Sequence, residues 1–135
     1  MTKPANFSWM SPYIIVKDVD KAMDFYKRAF GFEQGETMTE DGVTNHGEMF
    51  YKGQSMMFGR EDTEKFNMQS PSSSNTPSPV GMYLYTENVD AFYDKAIAEG
   101  AESSQAPEDM FWPDRMCRLI DLDGYGWSFA THKGS

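Results

Sequence analysis

Cysteine is almost missing from this sequence: Cys117 is the only one among 135 residues. A lone cysteine excludes an internal disulfide and fits a reducing compartment. Long apolar runs are missing too. A membrane-spanning helix needs roughly 20 apolar residues, whereas the longest clean strand-like run is Tyr13–Val16. Segment 1–10 shows no basic stretch followed by a long apolar region, so no export signal is expected and the expected location is the cytoplasm. Positive charge is scarce, with 12 basic against 21 acidic residues and a net charge of −9. Such a surface repels phosphate backbones and anionic lipid heads, so neither nucleic acid nor a membrane is an expected partner. There is no phosphate-cradling glycine loop, paired thiolate motif or basic aromatic patch.

Aromatic side chains, by contrast, are plentiful. They make up 15% of the chain, which argues for a folded core and against disorder. A chain of this length buries roughly two-thirds of its unfolded surface without a disulfide or structural metal. The expectation is a single domain over residues 1–135.

The most informative pattern is internal. At an offset of 70 residues, Tyr13 meets Tyr83, Val19 meets Val89, Asp20 meets Asp90 and Asp24 meets Asp94. Asp18 meets Asn88, and both are good helix N-caps because their side-chain oxygens accept from orphan backbone N–H groups. Each cap follows an apolar strand candidate, Tyr13–Val16 or Met82–Tyr85, and precedes apolar residues at helical spacing. Gly31 and Gly100 then stand where a helix end favours positive φ.

Residues 69–79, rich in proline and serine, read as a connector holding neither helix nor central strand. Strands are expected at 35–39, 45–51 and 54–58 in the first half, and at 115–120 and 127–131 in the second. Asp121-Leu-Asp-Gly124 marks the turn between the last two. The fold class is α+β, built from two βαβββ modules at 9–68 and 80–132.

The segment from Val16 to Phe32 resembles the opening helix of the vicinal oxygen chelate superfamily, which includes glyoxalase I, extradiol dioxygenases, and fosfomycin- and bleomycin-resistance proteins. Phe111–Arg115 and Asp121–His132 are similar to the terminal hairpin of its glyoxalase- and bleomycin-resistance-like subgroup, and His46-Gly-Glu48 resembles its middle strand. The resemblance implies a cup-shaped mixed sheet, homodimers and ligand sites inside the cups. Fold alone does not set the chemistry.

Metal-dependent members place one ligand on each of four strands. Here those positions fall on Ser11, on Met56 to Phe58, on Gly81 and on Ser128, none a suitable donor for the usual ions. No metal and no cofactor are therefore expected. The expected ligand is an apolar or aromatic small molecule, contacted by His46, Glu48, Trp112, Arg115 and Trp127. Trp112 offers a stacking plate, Trp127 an apolar wall, and Arg115 and His46 polar contacts. Two alternatives remain open at this point. One is an enzyme with a displaced metal at His46, Glu48 and His132, or with His46 or Glu48 as a metal-free base. The other is a regulatory domain that binds a protein partner.

Overall fold

A computed structural model describes residues 2–134. The first module runs β1 (Tyr13–Val16), α1 (Val19–Phe30), β2 (Glu33–Glu40), β3 (Val43–Tyr51) and β4 (Gln54–Arg60). After a one-turn helix α2 (Pro71–Ser74), the second runs β5 (Met82–Tyr85), α3 (Val89–Ala98), β6 (Glu102–Asp109), β7 (Asp114–Ile120) and β8 (Gly126–His132). The strands form two four-stranded sheets, ordered β1-β4-β3-β2 and β5-β8-β7-β6. β1 pairs parallel with β4 and β5 with β8, and the other pairs are antiparallel. The internal repeat is therefore a repeat of topology.

Local chemistry sets the helix ends as expected. Asp18 accepts from the Lys21 amide at 3.0 Å and Asn88 from the Ala91 amide at 3.1 Å, three residues along in each case. Gly31 closes α1 at φ 73°, in the left-handed region where a side chain is strained. The connector differs from the expectation of no helix. Ser70 caps the single turn of α2, Pro71 occupies its first position, where no N–H is needed, and Asn75 ends it at φ 54°. Strand β6 also escaped the pattern reading: nearly all its residues are exposed or half-exposed, so no apolar alternation marks it.

One face of each sheet is covered by a helix, and the two covered faces share one core. Tyr26 and Phe30 of α1 pack against Trp127 and Phe129 of β8, with ring centroids 5.3 Å apart for Tyr26–Trp127 and 4.8 Å for Phe30–Phe129. Phe92 of α3 stacks on Phe30 at 6.0 Å. These edge-to-face and tilted contacts are the favoured geometries for aromatic pairs.

The turn between β7 and β8 bolts the modules together. Asp121 is buried, and its two oxygens receive the Tyr26 hydroxyl, the Trp127 indole N–H at 3.2 Å and the backbone amides of Asp123 and Tyr125 at 3.0 and 2.9 Å. Asp123 accepts from the Lys17 amide at 2.9 Å. The Tyr125 hydroxyl donates to the Ile15 carbonyl and accepts from the Ile15 amide, at 2.8 and 3.1 Å.

Burial pushes the Asp123 carboxyl up to about 6, helped by the charges of Asp121 and Glu61 and opposed by the Lys17 amide and ammonium. The ordinary carboxyl value is 3.8, so between about pH 4 and 6 the folded chain holds a proton that the unfolded chain has lost. The stability from this group is thus complete below about pH 4 and is lost as pH rises through 6. Asp123→Asn keeps the acceptor for Lys17 without the charge. Urea unfolding at a series of pH values is expected to show the variant about 2 kcal/mol more stable at pH 7 and equal to the parent near pH 4.

Candidate functional site

Each sheet leaves one face free of helix. On sheet one this face carries Tyr13, His46, Glu48, Phe50 and Met57, as the strand registers require of alternating residues. His46 and Glu48 do stand side by side, Nε2 to Oε2 at 3.4 Å, both half-buried. The Tyr13 ring lies 5.8 Å from His46. It sits against Gly59, where an added Cβ would come within 2.7 Å of the Tyr13 hydroxyl, so glycine is what lets that ring lie across the face.

The open face of sheet two carries a denser cluster. Asp114 begins β7 and is only 2% exposed. Its carboxylate receives the hydroxyls of Tyr83 at 2.7 Å and Tyr85 at 2.9 Å, the Trp112 indole N–H at 3.2 Å and His132 Nδ1 at 2.8 Å. The Tyr83 hydroxyl, with the other donors behind it, holds the Asp114 carboxyl down to about 2. The same bonds raise the tyrosines: burial acts first on Tyr83, and the bond to Asp114 first on Tyr85. The loop that presents Trp112 is closed by backbone bonds from Met110 to Asp114 at 2.9 Å and from Asp114 to Trp112 at 2.7 Å. Phe111 stands edge-on to Trp112 at 4.5 Å and is 96% exposed.

A cavity of about 510 Å³ opens between the modules, where the β3–β4 hairpin approaches β5. Tyr51, Met56, Met82, Leu84 and Trp127 form its apolar lining, and Tyr83 and Tyr85 contribute to its wall. The Tyr51 hydroxyl crosses to the Tyr85 carbonyl at 2.7 Å, tying hairpin to strand.

The five residues expected at the ligand are thus divided by the fold. His46 and Glu48 lie on one open face and Trp112 beside the other. Arg115 turns to the helix side, its guanidinium held by Asp90 at 2.8 and 3.0 Å and by Asp109 at 3.3 Å. Trp127 is buried in the shared core, and it meets the cavity only as part of the lining. Sequence reasoning picked out Asp114 only as a loop carboxylate beside Trp112 and Arg115; it did not select Tyr83 or Tyr85, nor the gathering of four side chains on Asp114. A signal was present, since Tyr83 and Tyr85 are two apart on a strand and share a face.

The donor positions used by metal-dependent members do not fit a metal in this chain. The Ser11 hydroxyl is paired with that of Ser55 at 2.6 Å, Met56 packs in the core, Gly81 offers no side chain, and Ser128 is buried between β5 and β7. Among the described residues, no group of three or more His, Cys, Asp or Glu side chains is arranged to hold a metal ion. His46 and His132 lie on different sheets, each with its own carboxylate. Cys117 is buried, and burial pushes its thiol up to about 11, far from a reactive thiolate. No helix among the described residues is long and apolar enough to cross a membrane.

Two four-stranded sheets with paired modules, one open face each and a cavity between them define an α+β frame shared with known proteins. Residues 7–129 match the Glyoxalase/Bleomycin resistance protein/Dioxygenase superfamily, and the chain belongs to that family. The uncharacterised protein Mb0911c of Mycobacterium bovis is 31% identical over 123 residues, spanning 90% of this chain and 81% of its own length. TioX from Micromonospora sp. ML1 superposes with a TM-score of 0.75 at 26% identity, over 93% of this chain and 98% of its own. TnmS3, an antibiotic binding protein from Streptomyces sp. CB03234, superposes with a TM-score of 0.67 at 19% identity, over 98% of each chain, a likeness of fold alone.

Proposed function

We infer that this chain is a metal-free small-molecule-binding protein of the cytoplasm, holding an apolar or aromatic ligand in the manner of the antibiotic binding protein whose fold it shares. The observation that supports this reading is the aromatic frame on sheet two. Three polar-tipped aromatic side chains, Tyr83, Tyr85 and Trp112, are locked onto one buried carboxylate, and the two tyrosines also border the cavity. Rings fixed in this way lose little freedom when a planar ligand settles against them, which favours affinity. His46 and Glu48 form a second polar pair on the open face of sheet one, apart from this frame. Trp127 gives the cavity an apolar wall, and Arg115 holds β6 and α3 in place behind the Trp112 loop.

The open faces carry Tyr13, Met38, Tyr83 and Tyr85 in exposed positions, which supports pairing of two copies as a homodimer that brings such faces together. Light scattering after size exclusion checks this, with a mass of two chains expected.

The function itself is tested by elemental analysis followed by a thermal-shift screen of aromatic compounds, with and without chelator. The expected result is far less than one transition metal per chain, and ligand shifts that chelator leaves unchanged. Stoichiometric metal lost on His46→Ala would overturn the metal-free reading. It would make the displaced-site enzyme the better one.

A further inference from the structure

We propose that Asp114 and His132 form a proton-acceptor site on the open face of sheet two, which takes neutral hydroxylated aromatic molecules through their O–H group. The proposal rests on the binding function inferred above and adds the chemical class of the ligand.

The geometry fixes the direction of each hydrogen bond. An ionised carboxylate only accepts, so the 2.8 Å contact places a proton on His132 Nδ1. In the neutral ring the other nitrogen, Nε2, then carries a lone pair. It has no hydrogen-bond partner among the described residues, and the side chain is 49% exposed. The donors around it are already engaged: both tyrosine hydroxyls and the Trp112 N–H point to Asp114, and Trp112 also reaches the Tyr83 oxygen at 3.2 Å. What this cluster offers a ligand is therefore an acceptor.

A carbonyl or a carboxylate would meet a lone pair with a full negative charge behind it, and the net charge of −9 disfavours anions further. Arg118, four residues along β7 on the same face, is the cation to which an anion would go instead. The surroundings select for a ring. Tyr85 stands edge-on to His132 at 6.5 Å, while Phe111 and Trp112 extend the aromatic surface at the loop. Together these features describe a phenol-type O–H donating to Nε2, with its ring against the tyrosines and tryptophan.

Two measurements test this. Long-range nitrogen–proton NMR on the free protein at pH 8 should show His132 protonated on Nδ1, and an Nε2–H tautomer would overturn the proposal. Titration with 2-naphthol, 2-methoxynaphthalene and 2-naphthoate should show 2-naphthol binding at least about tenfold more tightly than its methyl ether. His132→Ala should bring those two affinities together. Equal affinities in the parent, or tighter binding of 2-naphthoate, would overturn the hydroxyl-acceptor site while leaving the binding function intact. Failure of all three probes to bind at millimolar concentration would overturn both.

Discussion

Asp121→Ala is expected to remove on the order of 4 kcal/mol of folding stability, a large share of the 5–15 kcal/mol typical of a domain. The reason is the number of donors stranded at once. The Tyr26 hydroxyl, the Trp127 indole N–H and two backbone amides all end on this buried carboxylate. Each buried donor left without a partner costs roughly 1–3 kcal/mol, and relaxation around the smaller alanine recovers part of the total. Because Tyr26 belongs to the first module and Trp127 to the second, the loss falls on their junction. Tyr26→Phe removes only one of these bonds and should cost about 1 kcal/mol. Urea unfolding of both single variants and the double variant checks the argument. The double variant should be no less stable than Asp121→Ala, since the lost bond is shared. A change below 1 kcal/mol for Asp121→Ala would show that water or a neighbouring group replaces the carboxylate.

Asp114→Ala is expected to lower the affinity for 2-naphthol on the order of 100-fold. Four side chains owe their positions to this carboxylate: without it the rings of Tyr83, Tyr85 and Trp112 are free to rotate, and the His132 proton is no longer held on Nδ1. A ligand must then order the rings itself, and that ordering opposes binding. Asp114→Asn keeps an acceptor but adds N–H donors facing donors, so it should fall between the parent and alanine. The carboxyl is held down to about 2, so the frame of Tyr83, Tyr85 and Trp112 that it anchors should stay ordered as pH falls below 4. The stabilising effect of this group is present above about pH 4 and is lost as pH falls toward 2. Fluorescence of the three tryptophans reports both the binding and any loss of fold. Unchanged affinity in Asp114→Ala would place the ligand elsewhere, with the sheet-one pair His46 and Glu48 the next candidate.

The module plan was legible because it is written in local chemistry. Asp18 and Asn88 cap helices in any context that lets a helix start there, and Gly31 ends one because few other residues accept its φ. The repeat at an offset of 70 residues placed two such units side by side. Strand β6 was not legible, because an edge strand exposed along most of its length has no burial period to reveal it. The helix turn at Pro71–Ser74 was hidden by a composition that reads as coil, although cap and first-turn proline are both helix-starting features.

The site divides along the same line. Spacing alone put His46 and Glu48 on one face of a strand, and the missing donors at Ser11, Gly81 and Ser128 could be counted directly. Which of two opposite faces a strand residue occupies depends on where the helix packs. Only the tertiary structure could therefore send Arg115 to Asp90 and leave Asp114 on the open side. The Asp114 hub joins residues 83, 85, 112, 114 and 132, which meet only when β5, β7 and β8 are paired in register. Sequence by itself determined the strand–cap–helix start of each module and the final hairpin, since caps, turns and periods act between near neighbours. The convergence of four side chains on one carboxylate was decided by the sheet, because hydrogen bonds act over a few ångströms and only folding brings such distant residues that close.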